Sequence, residues 1–367
     1  MEHYSHSLKH SNKSLKRSRF FSISLAGVRI FIFLLIGAVL FSALSEVLRR
    51  KTMGVIDMVH SLYAVEEDQV DLLVLGSSHG YASFDSNYIW GEYGITSYCM
   101  CSQAQSVATS YYLLKEALEY QSPKVVLLES YTFCDDKLYR SLSAVRSAFD
   151  GVRLGTAKME MIDDFLSEAS FAKKLTYYLP FIKYHSRWSE LSDHDIHVKS
   201  YLHGSKLSKT VITNEAPEIP KGTREPGETS FAYFEKIADL CEQNNIDLVV
   251  YAAPFNCETT EKYKIRQKTN NALEILLEEM GIPFLYYQKT GEADIDWSAD
   301  FRDVQHMNSY GALKITKCIG EYMVEQYHLP DHRQDENYES WQEDYLLYQQ
   351  DLNGLVGDID NGVDEES

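Results

Sequence analysis

A three-layer αβα fold, with a parallel sheet covered by helices on both faces, is predicted for this 367-residue chain. Two observations predict it. Short runs rich in Leu, Val and Ile alternate with stretches of helical periodicity, the pattern of strands buried on both faces. The chain is also 44% hydrophobic, enough to fill a sizeable core.

The elements follow in order. "DLLVLG" (71–76) reads as a first buried strand and "GITSYCM" (94–100) as a second. "SVATSYYLLKEALEYQ" (106–121) has helical spacing and precedes a third strand, "KVVLLESY" (124–131). A helix "FAYFEKIADLCEQNN" then leads to the strand "IDLVVYAAP" (246–254), and "EKYKIRQKTNNALEILLEEM" leads to "IPFLYYQ" (282–288). "SYGALKITKCIGEYMVEQY" (309–327) closes the domain as a helix. The result is a flavodoxin-like five-stranded parallel sheet with a domain over residues 68–328. Residues 134–225 break the alternation, first helical and then rich in Pro, Gly and Glu. They read as a helical and loop insertion that caps the site.

The two ends differ from the middle. Residues 1–19 carry Lys9, Lys13, Lys16, Arg17 and Arg19, a basic cytoplasmic tail, and 20–45 is apolar apart from Arg29 and a few serines. About 17–25 such residues span a bilayer. The expectation is a single-pass anchor with the N-terminus inside and the domain outside; a signal peptide cleaved near "SALS" is the alternative. Residues 329–367 form an acidic tail. From Asp331 onward twelve acids face one base, Arg333, which reads as a solvated, disordered segment, although Tyr338, Trp341, Tyr345, Tyr348 and Leu352 fall at helical spacing. Within it, "GDIDNGVDEE" departs from a calcium loop in its glycine and terminal acid positions. The formal charge of -19 argues against nucleic acid as a partner. The six cysteines include no metal-type C-x-x-C pair, so no metal or other cofactor is expected; disulfides and buried thiols are both compatible with their positions.

In open parallel sheets ligands bind beyond the carboxyl ends of the strands. The first strand ends there at Gly76-Ser77-Ser78-His79, and "DFRDVQHMNSYGA" brings Asp303 and His306 to the same edge before the last helix. A serine hydroxyl is a weak nucleophile that needs an imidazole to take its proton and an acid to orient that imidazole. Ser78 is therefore the candidate nucleophile, His306 the base and Asp303 its orienting acid. Each has a bland counterpart: a strand-end cap, a surface histidine opening a helix, and a helix N-terminal acid. His79 is a candidate substrate contact or a structural strand-end histidine. Asn308 is a candidate substrate contact or the N-cap of the last helix, and Tyr131 and Asn256 lie on loops at the same edge.

The two blocks together resemble the SGNH/GDSL hydrolase superfamily. Its strand followed by Gly-Ser-Ser matches Gly76, Ser77 and Ser78; its Asp-x-x-His block, continued by Asn and Gly, matches Asp303, His306, Asn308 and Gly311. The chain also resembles the membrane-anchored branch that includes the D-alanyl transfer protein of teichoic-acid modification and the alginate O-acetyltransferases. The resemblance implies an acyl-serine esterase or O-acyltransferase of the cell surface, acting on an acylated envelope glycan or teichoic-type polymer. By the same analogy it implies a multi-span acyltransferase as partner. The superfamily's usual oxyanion donors, a Gly after the second strand and an Asn after the third, are missing from "CMCSQAQS" and "ESYTFCDD". Gln105-Ser106 matches a pair found in the anchored branch, so the expected donors are the Ser78 N–H, one N–H of the 102–105 turn and the Gln105 side chain. The departure leaves a catalytically weak scaffold or glycan-binding component as the alternative function.

Overall fold

The computed structural model describes residues 3–49, 59, 61–137, 141–196 and 200–352. Helix α1 (His3–Val47) contains a segment, Leu25–Val47, long and apolar enough to cross a membrane. After a 3-10 turn at Ser61–Ala64 comes β1 (Leu72–Gly76), then α2 (Ser78–Ser83) and α3 (Ser86–Tyr93). Strand β2 (Ser97–Cys101), helix α4 (Val107–Ala117) and strand β3 (Val125–Glu129) follow. The insertion supplies α5 (Leu142–Phe149), α6 (Thr156–Phe165), α7 (Phe171–Tyr178), α8 (Phe181–Tyr184), a 3-10 turn at His185–Glu190 and α9 (Asp193–Ile196). The sheet resumes with α10 (Glu228–Gln243), β4 (Asp247–Tyr251), α11 (Glu261–Met280) and β5 (Phe284–Leu285). Helices α12 (Tyr287–Thr290), α13 (Ser309–Tyr327) and α14 (Glu339–Leu352) complete the chain.

All five strands are parallel, in the order β2-β1-β3-β4-β5, which is the flavodoxin-like order. Side chains alternate between two cores, as the two-residue period of a strand requires. Leu73, Leu75, Met100, Val126, Leu128 and Val250 pack with Leu113, Phe234, Ile237 and Leu273 of α4, α10 and α11. Leu72, Val74, Cys99, Leu127 and Val249 pack with Ile89, Ile315 and Ile319 of α3 and α13. Strand β5 is shorter than its apolar run, because the chain at Tyr287 already turns into α12, which closes on Gly291 at a left-handed φ of 79°. All six cysteines are unpaired, and four of them are buried.

Two expectations need correction. The insertion does not cap the site as a unit. Its helical half packs beside α4, where the Tyr112 hydroxyl donates to Asp164 at 2.7 Å, and beside the end of α1, where the rings of Phe41 and Phe181 meet at 5.0 Å. Among the described residues it is the extended half that reaches across to the acid loop: Lys206 N–H donates to the Tyr81 carbonyl, and the Asn214 side chain to the Asp303 carbonyl.

The acidic tail is also not solvated where it is described. Residues 329–352 strap the body, with Trp341 2% and Tyr348 5% exposed. The Tyr348 hydroxyl donates to Asp85 at 2.5 Å, and the Trp341 ring N–H donates to Gln69 at 3.1 Å. Of the acids counted in the sequence, Asp331, Asp335, Glu336, Glu339 and Glu343 are exposed while Asp344 is buried, so a charge count says little about which face docks. "GDIDNGVDEE" lies outside the described residues.

Candidate active site

Strand β1 delivers Gly76, Ser77 and Ser78 to the carboxyl edge of the sheet. Gly76 is required there by close approach: a Cβ on it would collide with the Cβ of Glu129, at the end of neighbouring β3. Ser77 is the cap. Its hydroxyl accepts the His79 N–H at 3.2 Å and donates to Glu129 Oε2 at 2.7 Å, so it is committed to holding the turn. Ser78, the first residue of α2, is half-buried and projects its hydroxyl to 2.8 Å from His306 Nε2.

His306 arrives on the loop between α12 and α13. The loop is pinned by the Phe301–Met307 bridge and by the Arg302 N–H donating to the His306 carbonyl. Asp303 Oδ1 accepts the backbone N–H groups of Gln305 and His306 at 2.7 and 2.8 Å, which fixes the carboxylate against the ring. His306 Nδ1 lies 2.9 Å from Asp303 Oδ2. With Nδ1 donating to the acid, Nε2 is left as the acceptor that faces Ser78. Burial works to raise the Asp303 carboxyl, but the bonds from His306 and the two backbone N–H groups outweigh it and hold the pKa at about 2. The arrangement can take a proton from Ser78 and stabilise the resulting imidazolium.

His79 is a wall of this site. It is 2% exposed, stacked on Tyr131 at 3.5 Å and on His306 at 4.7 Å. Burial, aided by the charges of His306, Arg266 and Arg302, pushes its pKa well below the usual 6.5, so the ring packs as a neutral plate. Tyr131 ties the plate to the acid loop, its hydroxyl donating to Gln305 Oε1 at 2.7 Å. Asn256 is turned to the extended insertion, donating to the Glu215 carbonyl at 3.4 Å.

Two candidates are placed elsewhere. Gln105 is buried, and its amide donates to the Met100 carbonyl at 3.3 Å and to Ser110 Oγ at 3.0 Å, so both of its hydrogens are committed away from Ser78. Asn308 is fully buried as the N-cap of α13. It accepts from Tyr310 and Gly311 and donates to the carbonyls of Thr210 and Ala299, which uses all of its polar capacity. Among the described residues the N–H of Ser78 has no acceptor, nor have those of Gln103 and Ala104. The latter pair lies in the turn after β2, where Ala104 takes a left-handed φ of 53°. The Ser102 N–H donates to the Gly76 carbonyl and draws this turn to the end of β1.

Sequence reasoning missed Glu129. Its carboxylate is 2% exposed and holds Ser77 through both its N–H and its hydroxyl, and it accepts the Tyr131 N–H at 2.6 Å. Burial pushes its pKa up to about 7, against the pull of those hydrogen bonds. The available signal was an acid ending an apolar run, "VVLLE", at the binding edge. Tyr81, which lies beside both Ser78 and Arg302, carried no comparable signal.

A doubly wound α/β domain with a serine, a histidine and an aspartate joined at the carboxyl edge of its sheet is thus the class that fold and site define. No family model matches the chain, and no curated protein matches it. Among solved structures, the chain is similar to a GDSL-like lipase from Bacteroides thetaiotaomicron, with 9% identity and a TM-score of 0.38, covering 72% of this chain and 94% of that one. It is also similar to a protein of Bacteroides fragilis described as an acylhydrolase, with 10% identity and a TM-score of 0.38, covering 77% of this chain and all of that one.

Proposed function

We propose that this protein is a serine esterase or O-acyltransferase that works through an acyl-Ser78 intermediate. The observation that carries this reading is the unbroken hydrogen-bond chain from Ser78 Oγ through His306 to Asp303. Ser78 Oγ attacks an ester carbonyl as its proton passes to His306 Nε2, and Asp303 stabilises the imidazolium. The Ser78 N–H and the 103–104 turn are the donors for the carbonyl oxygen as it becomes an oxyanion. The intermediate collapses with the alcohol leaving on the proton from His306, so Ser78 carries the acyl group. Water, or a hydroxyl of an acceptor polymer, then repeats the steps in reverse.

The reading extends to place and substrate. Helix α1 serves as a membrane anchor with the N-terminus inside, the domain outside, and acylated envelope glycan or teichoic-type polymer as substrate. A multi-span acyltransferase is the partner that would supply acyl groups if transfer is the reaction. Anchor over cleaved signal is supported by packing: Ser45, Leu48 and Arg49 are buried against the domain, and Arg187 donates to the Arg49 carbonyl.

Labelling with a fluorophosphonate tests the reading. Wild type is expected to label and Ser78→Ala to lose both the label and p-nitrophenyl acetate turnover, by about 10³-fold or more, with its fold retained. A folded wild type that never labels would overturn it in favour of a scaffold or glycan-binding role. Diversion of the acyl group to added oligosaccharide separates transferase from esterase.

A further inference from the structure

The helical half of the insertion has a surface that the catalytic reading does not use. Outside α1, the three most exposed large apolar side chains among the described residues are Phe171 (74%), Trp188 (71%) and Ile196 (60%), all within one segment of the insertion. Its composition is unlike that of the rest of the chain. Residues 171–189, "FAKKLTYYLPFIKYHSRWS", hold four Lys or Arg, six aromatic residues and no Asp or Glu, in a protein with 54 acids and 35 bases. Exposed aromatics interleaved with cations are what an anionic headgroup layer favours: the rings sit at the apolar boundary and the long basic side chains reach the phosphates.

The position of the segment points the same way. Phe181 packs edge-on against Phe41 of α1, and Tyr178, Leu179 and Pro180 share a cavity of about 20 Å³ with Ser42, Ser45 and Glu46. Phe41 lies six residues before the end of α1 at Val47, roughly 9 Å along the axis at 1.5 Å per residue. The apolar span Leu25–Val47 has 23 residues, and a hydrocarbon core of about 30 Å takes up roughly 20 of them. Those roughly 20 residues end between positions 44 and 47, so if α1 crosses a bilayer, Phe41 and the Phe181 ring against it lie roughly 5–9 Å to the acyl-chain side of the headgroup boundary, and the segment around Phe181 reaches that boundary from below. Leu154, half exposed, lines the same cavity and sits at the same level.

We propose that residues 171–189 lie in the headgroup boundary of the bilayer that α1 spans, so that the insertion seats the domain on the membrane. This rests on the reading of α1 as an anchor. Phe171 and Trp188 are the apolar contacts, and the exposed Lys173 is the phosphate contact. Lys174 and Arg187 are already paired, with Asp163 and Asp195.

The test uses the full chain in nanodiscs of phosphatidylcholine and phosphatidylglycerol, with or without bromine on the acyl chains near the headgroups. Of the other three tryptophans, Trp90 and Trp341 are buried and Trp297 is half-buried; subtracting the spectrum of Trp188→Phe removes all three and isolates the emission of Trp188. That emission is expected to be blue-shifted and to fall to roughly half or less on brominated lipid, as an interfacial indole would. A chain that enters nanodiscs while Trp188 emits as in water, unquenched by bromine, would overturn the seat and leave the anchor standing. Shielding of Trp188 from aqueous iodide without bromine quenching would also overturn it, in favour of contact between two copies of the chain. Failure of the chain to enter nanodiscs at all would remove the anchor, and the seat with it.

Discussion

Each end of the sheet holds a histidine joined to an aspartate, and only one of them faces a serine. At the carboxyl edge, His306 gives Nδ1 to Asp303 and turns Nε2 to Ser78. At the amino edge, His332 places Nε2 2.6 Å from Asp71 Oδ2, and its ring stacks on Tyr338 at 3.9 Å. Asp71 is further occupied by Lys124 at 2.8 Å and by the Thr96 hydroxyl at 3.1 Å. The first pair is half-exposed, with the Asp303 side chain 43% exposed; the second is walled in, with Asp71 at 10%. An acid–imidazole pair is thus not a catalytic device by itself. Its chemistry depends on what the other nitrogen meets and on whether a substrate can arrive.

Replacing the two acids should break the symmetry most sharply. Asp303→Asn is expected to cut ester turnover by about 10³- to 10⁴-fold with little change in melting temperature, because the imidazole loses its tautomer and its counter-charge. Asp71→Asn should leave turnover intact and lower the melting temperature instead; comparable loss of turnover in both variants would end the distinction. Next in size is Trp341→Ala in the strap at the amino edge. The ring is buried and stacked on His203 at 4.1 Å, so urea denaturation should report a loss of about 3–5 kcal/mol, where a solvated tail would give none.

A third effect sets the two edge acids of the site apart by pH. Glu129, raised by burial to about 7, favours the folded state below its unfolded pKa of 4.5, and this contribution is lost as pH rises through 7. Asp303, held at about 2, contributes above 3.8 and loses that contribution as pH falls towards 2. Denaturation of Glu129→Gln at pH 5 and pH 8 should therefore show a gain relative to wild type at the higher pH, of up to about 3 kcal/mol. An unchanged difference between the two pH values would place the Glu129 titration outside this window. The smallest effect is expected for His332→Gln, about 1 kcal/mol of stability with normal turnover, as for one buried hydrogen bond.

The sheet was legible because buried parallel strands leave unbroken apolar runs, and Ser78, Asp303 and His306 were legible because chain order places them at one edge. What a side chain turns towards was not. Gln105 stands near that edge in sequence, yet its amide is spent on the Met100 carbonyl and the Ser110 hydroxyl, whereas Asn308 takes the N-cap role that its place before the last helix offered. Glu129 was passed over because a lone acid after Leu128 looks like a strand terminator until the fold folds Ser77 onto it. The tail was misread for a related reason: charge counted along a helix averages over both faces, while docking depends on one.

The short strands set a stand-off. Glu46 of α1 and Glu116 near the end of α4 both act on Lys158, and Gln121, just beyond α4, accepts the N–H groups of Gln69 and Val70 before β1. The end of α1 thus lies towards the amino edge of the sheet, while Ser78 opens from the carboxyl edge. Five residues of strand at about 3.3 Å each separate the two edges by roughly 17 Å. With the domain seated on a bilayer, the fold acts as a spacer. On that proposed seat, esters held at the lipid surface would fall short of Ser78, and the site would serve groups carried outward on a tether at least as long as the sheet is tall.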